Sequence, residues 1–439
     1  MRKIRFLVWL SQAFFQRHFF LILSGVFLGI AAFFISQKIS LLFPQRKVEK
    51  IGLVGRFTQE EIPDEIETLV SLGLTRILPD GTATASLAKF WEVDKEGKVF
   101  KFYLNDNVFW QDKTRFTAKD VKLNLKDAKV ETISDFQLKI TMSEPFSPLP
   151  GLVSFPLFKT GLIGTGSYQI AKAEKSGRFL RSITLYPVRD SSLPVLFYRF
   201  YNTEEMARVG FKLGEVEKLL GMTNKDAFSA WPRVEIKENV RRNRYVAVFF
   251  NTKKEGLEKK SFRQALAYTL NKEEGERRAL GPIAPNSWAF NPEVKTYSQD
   301  LSHAKELLGQ DKVKSEIELL TFPSLLGVAE KIGKDWESLG IKTTIKVINV
   351  LPADFEALLA TQEVPADPDQ YFLWHSTQSS NLTGLTSPKI DKLLEEGRKT
   401  LDTPKRVEIY RDFQKTLVEE CPAIFLFHPV TYTISKANS

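Results

Sequence analysis

"DGTATASLAKFWEVDKEGKVFKFYLNDNVFWQDKTRFTAKDV" runs from Asp80 to Val121, and the fold is read outward from it. Within it, VFKFYL sets Phe100, Phe102 and Leu104 at every second position, so an extended segment carries all three on one face. The polar NDN that follows is a turn before VFW resumes the apolar run. Strand, turn and strand are the expected elements here.

The pattern changes toward the carboxy-terminal half. Beyond Ser324, the residues Val328, Ile332, Trp336 and Leu339 recur at helical spacing, Gly340 stops the helix, and IKTTIKV returns to alternation. Ser387 and Pro388 suit an N-cap and first helical position ahead of Ile390, Leu393 and Leu394. Thr403 and Pro404 repeat the device before Val407, Tyr410, Phe413 and Leu417, and AIFLFHPVTYTI after Pro422 reads as a buried strand run. No period of about 20 to 50 residues repeats. At 439 residues, with 43% hydrophobic and 12% aromatic content, the chain is long enough for two or three packed domains. A mixed α/β protein of more than one lobe is expected.

The net charge of +9 raises the question of nucleic acid. Seven of the 62 Lys and Arg lie in residues 1–47, where there is no Asp or Glu; that leaves 55 basic against 53 acidic residues in the body. There the two signs interleave, as in LEEGRKTLDTPKRVEIYRD, which is the pattern of solvated helix faces and not of a phosphate track. No nucleic-acid partner is expected. The single cysteine, Cys421, excludes an intramolecular disulfide.

Residues 19–37, FFLILSGVFLGIAAFFISQ, hold no formal charge. A helix of that length spans a hydrocarbon layer of about 30 Å, so an uncleaved membrane anchor is the expectation. A cleaved signal peptide and a buried soluble helix are the rival readings; the long apolar stretch and the lack of a small-x-small site weigh against cleavage. Basic residues flank the stretch on both sides, so charge leaves the orientation open.

Catalytic motifs are missing from the sequence. His18, His303, His375 and His428 stand far apart, and none has metal-ligand spacing. GTGSYQ at 164–169 has Gln169 where a dinucleotide fingerprint needs its last glycine, and reads as a tight turn into a strand. There is neither a G-x-S-x-G elbow nor a P-loop. No catalytic residue, metal or cofactor is proposed.

The stretch 80–121 resembles the signature region of the family 5 extracellular solute-binding proteins, the oligopeptide and dipeptide receptors of ABC importers. Later segments fall in the family's order: GTGSYQI at 164, FKLGEVEKL at 211, FRQALAYTLNKEE at 262, PIAPNSWAF at 282, AKELLG at 304, LGIKTTIKV at 339, IDKLLEEGRKTLD at 390 and CPAIFLFHP at 421. Departures are a missing lipid-accepting cysteine, Lys113 where the family has a turn glycine, and a short stretch between Val121 and Gly164. At the position where some peptide receptors hold the ligand's amino group with an aspartate, this chain has Val364.

The resemblance implies a two-lobed type II periplasmic-binding-protein-like fold after the anchor. The first lobe would take 48–245 plus 422–439, with a small subdomain at about 76–160, and the second lobe 246–421. It also implies a body outside the cytoplasm, a monomer, and an ABC permease as partner. A peptide or other small solute would be caught between the lobes. The segment DPDQYFLWHSTQSSN, 367–381, would supply the second-lobe wall through Asp367, Asp369, Tyr371, Trp374, His375, Ser376, Gln378 and Asn381. Leu72 and Gly73 in LVSLGLT would be the facing first-lobe edge. Plain structural roles compete: Tyr371 and Trp374 as core, Pro368 as turn former, Asp367 as cap. Two other functional classes stand beside the receptor: a ligand sensor or surface-interaction protein without a permease, and a membrane-anchored hydrolase.

Overall fold

The computed structural model describes residues 18–21, 23–30, 33, 46–272, 275–309 and 314–437. Residues 18–21, 23–30 and 33 are helical, and the remainder of the expected span at 19–37 lies outside the described residues. Among the described residues, no helix is long and apolar enough to cross a membrane.

Two sheets organise the body. The first has seven strands in the spatial order Val234–Val240, Val430–Lys436, Lys218–Met222, Val48–Val54, Val195–Tyr201, Phe179–Pro187 and Tyr168–Ser176. Val48–Val54 lies parallel to both of its neighbours. One apolar cluster, with Ile51, Ile66 and Tyr198, and another, with Phe211, Phe228 and Ile434, supply its packing. The second sheet has the order Lys342–Val347, Glu316–Thr321, Ala357–Glu363, Arg244–Phe250 and Ala423–Phe427. Its core includes Trp336, Phe250 and Tyr410. The chain passes between the sheets at 241–243 and again at 428–429.

The stretch 80–121 folds into a subdomain on the first lobe. Val99–Leu104 buries Phe100, Phe102 and Leu104 as its alternation requires, inside a four-stranded antiparallel sheet with its own core. FTAKDV becomes a capping box: the Thr117 N–H donates to Asp120 Oδ2 at 2.8 Å, and Trp110 Nε1 donates to the same oxygen at 3.3 Å. Lys113 sits at φ 67°, the left-handed region that explains why glycine suits this turn. The Thr114 hydroxyl and N–H, with Lys159, hold the Asp112 carboxyl down to about 2.

GTGSYQ proves to be a close-packing device. A Cβ on Gly164 would stand 2.0 Å from the Val70 carbonyl oxygen, and one on Gly166 2.3 Å from that of Leu69. The loop is pressed against the end of the helix Asp64–Val70 and leads into Tyr168–Ser176.

Two expectations need correction. AIFLFHPVTYTI is not one strand run but two, divided at His428–Pro429 between the two sheets. Ala423–Phe427 continues the buried interior of the second sheet, and the chain leaves that sheet at 428–429. The last long helix starts at Thr403 with Asp402 as its N-cap; the Asp402 carboxylate accepts from the Lys405 N–H at 3.0 Å, in the role expected of Thr403. Ser387 caps Pro388–Lys399 as expected.

Candidate functional site

The segment 367–381 follows the strand Ala357–Glu363 and is held by arginines from the two final helices. Asp367 Oδ1 accepts from the Asp369 N–H at 3.0 Å, and Asp369 Oδ1 from the Tyr371 N–H at 3.1 Å, a turn geometry that launches Tyr371–Trp374. Arg406 meets Asp367 Oδ1 at 2.8 Å and Oδ2 at 3.3 Å. Arg398 meets Asp369 Oδ2 through Nη2 at 2.8 Å and Nε at 3.1 Å. Arg406 also donates to the Gly397 carbonyl at 2.9 Å and lies 5.1 Å from the Trp288 ring centre. Arg398 lies over Tyr371 at 4.1 Å, Phe372 at 5.1 Å and Phe146 of the subdomain at 5.2 Å.

Behind this frame the side chains engage one another. Tyr371 stacks on His375 with ring centres 4.1 Å apart. The buried His375 has Nδ1 2.8 Å from Thr377 Oγ1 and Nε2 3.3 Å from Glu395 Oε1. The Ser376 N–H and hydroxyl donate to Asp391 at 2.8 and 2.6 Å. Asn381 is buried and ties the Trp374 carbonyl, the Leu385 carbonyl and Thr383 together. Trp374 enters the second-lobe core against Phe249 and Phe425. Phe372 is exposed and Gln378 is half-buried.

All eight expected residues of 367–381 thus share one region. Leu72 and Gly73 lie on the other lobe. Leu72 has an exposed side chain, its N–H donates to Thr165 Oγ1, and its carbonyl accepts from the Leu157 N–H. The segment 149–154 touches both groups: a Cβ on Gly151 would lie 3.5 Å from Asp367 Cβ, and Ser154 packs against Gly73. Among the described residues, no three His, Cys, Asp or Glu are placed to hold a metal ion.

Sequence reasoning missed Arg398, Arg406 and Trp288. Arg406 stands 39 residues from Asp367 and Arg398 29 from Asp369, so spacing carries no hint of either pair. One signal was present. Arg406 continues the stripe of Tyr410, Phe413 and Leu417, and a cation on a buried stripe demands an internal anion.

Residues 82–384 match the family described as "Bacterial extracellular solute-binding proteins, family 5 Middle". The chain belongs to this family. As a family 5 member it is a solute-binding protein. It is 22% identical to di/tripeptide-binding protein 1 of Pseudomonas aeruginosa, over 82% of each chain. The substrate-binding protein CtaP of Listeria monocytogenes superposes with a TM-score of 0.78 at 19% identity, covering 90% of this chain and 95% of that one. NikZ of Campylobacter jejuni, solved with Ni(L-His), gives 0.71 at 23% identity, covering 88% and 94%. These solved structures share the two-lobed α/β fold of family 5.

Proposed function

We propose that this chain is a membrane-anchored, extracytoplasmic receptor that captures peptides or similar solutes between its lobes and delivers them to the permease of an ABC importer. The observation that carries the reading is the family match over 82–384, joined to relatives named for dipeptide and di/tripeptide binding. The uncharged stretch at 19–37 supplies the anchor in this reading. Two crossings between the sheets suit a hinge, and a solute drives closure to the extent that it binds the closed state better than the open one.

In the same reading Trp374, His375, Ser376 and Asn381 shape the second-lobe wall, Tyr371 and Gln378 line its surface, and Leu72 with Gly73 forms the opposite edge. Asp367 and Asp369 hold the wall through their arginines. That leaves a solute amino group without a carboxylate at Val364, whose side chain packs against the second-lobe core. A peptide and its N-acetylated form are therefore expected to bind alike.

The test is a thermal-midpoint screen of the purified chain with short peptides, N-acetylated peptides, oligosaccharides and metal chelates. A binder raises stability by about 2.7 kcal/mol at a hundredfold excess over its Kd. A rise with peptides, equal for the acetylated set, supports the reading. A rise confined to another class overturns the peptide assignment, and no rise with any class favours a fold kept for sensing or surface interaction.

A further inference from the structure

Two side chains that line one small cavity in the second lobe each carry a buried polar atom with no use in the packing described above. Tyr245 is fully buried and Trp374 is 2% exposed. Their rings share neighbours: Tyr245 lies 5.1 Å from Phe425 and 6.4 Å from Phe249, and Trp374 lies 6.1 and 6.2 Å from the same pair. Both line a cavity of about 10 Å³ closed by Gln362, Leu373, Ser380, Leu382 and Thr383. Among the described residues, neither Tyr245 Oη nor Trp374 Nε1 has a hydrogen-bond partner.

An indole N–H is only a donor, and a phenol is donor and acceptor together. Removed from water without a partner, each is destabilising. The cavity volume is that of about one water-sized sphere, too small for a solute group of several atoms. Ser380 gives its proton to the Phe372 carbonyl and Thr383 gives its proton to Asn381 Oδ1, so both oxygens keep lone pairs for a further donor. A molecule that accepts from Trp374, exchanges a bond with Tyr245 and donates its remaining proton fits this lining.

We infer that the cavity between Tyr245 and Trp374 is a binding site for one internal water. Tyr245 stands directly opposite Gln362 on the strand that leaves the first crossing, and Trp374 belongs to the segment 367–381. The water adds a hydrogen-bonded link between the hinge strand and that segment to the ring contact of Phe249 with Trp374. The site rests on burial and cavity volume and stands whether or not the solute is a peptide.

Two measurements test it. A crystal structure of the full chain at a resolution that orders solvent, determined with and without a bound peptide, is expected to show one oxygen within hydrogen-bond distance of Tyr245 Oη and Trp374 Nε1 in both. No density in either, or density only as part of the peptide, overturns the inference. Tyr245→Phe keeps the ring and removes the hydroxyl. With a water in place the variant loses a bond and its thermal midpoint falls. In a dry cavity the change removes an unpartnered polar group, so an unchanged or raised midpoint also overturns it.

Discussion

At the scale of single residues, the pairing of Asp367 with Arg406 decides more than either side chain would alone. The arginine is 8% exposed and the carboxylate 19%, and the guanidinium is shared among Asp367, the Gly397 carbonyl and the Trp288 face. Desolvation offsets much of the attraction in such a pair, so its net contribution to stability is small. Removing one partner is different, because the other charge stays buried without compensation. Asp367→Asn is expected to lower stability by about 3 kcal/mol, measured by denaturant unfolding. An equal loss of peptide affinity at a temperature where the variant remains folded would show that the carboxylate touches solute directly. Unchanged affinity under those conditions leaves it as a positioning residue.

At the scale of elements, the two crossing strands are tied by His428. It is 2% exposed, its Nδ1 lies 2.7 Å from the Arg244 carbonyl, and its N–H donates to the Arg277 carbonyl at 2.6 Å. Burial pushes its imidazole below the ordinary 6.5; the Arg244 carbonyl opposes the shift, and Arg242 and Arg278 reinforce it. The unfolded chain takes up this proton near 6.5 and the folded chain only at lower pH. Between those values the unfolded state binds more protons, so stability falls as pH drops through the window. His428→Asn keeps a donor toward Arg244 and removes the titration. Its thermal midpoint should fall less between pH 7 and pH 5 than that of the unchanged chain, and an identical fall would refute the role. Elements like these were legible where their cause is local: the Phe100, Phe102 and Leu104 alternation, the Ser387 cap, the Gly340 stop. The division at His428 was not, because AIFLF and VTYTI are both strand-forming and only pairing with Arg244–Phe250 or Lys218–Met222 sends them to different sheets. The candidate wall was legible as a segment but not in its partners, since arginines 29 and 39 residues away hold its two aspartates.

At the scale of the whole molecule, the subdomain built from the signature stretch bridges the two lobes. The Trp288 N–H donates to the Asp80 carbonyl at 3.0 Å, and Asn286 donates to the Pro79 carbonyl. On the other side of the contact, the Ser147 N–H donates to the Arg398 carbonyl at 2.8 Å. Gly81 sits at the centre with φ 86°, and a Cβ there would stand 2.4 Å from the Ala366 carbonyl oxygen. Backbone on one lobe thus meets backbone on the other, where no flexible side chain is available to give way. Gly81→Val forces that contact apart and strains its own turn. Its expected effect is a larger radius of gyration in small-angle scattering, with the far-ultraviolet circular dichroism of a folded chain, and a weaker response to any solute that stabilises the parent. If the variant folds with the parent's radius, this turn does not hold the lobes together. The bridge would then rest on the Arg398 guanidinium, which lies 5.2 Å from the Phe146 ring centre, and Arg398→Met, which removes that cation, should separate the lobes where Gly81→Val did not.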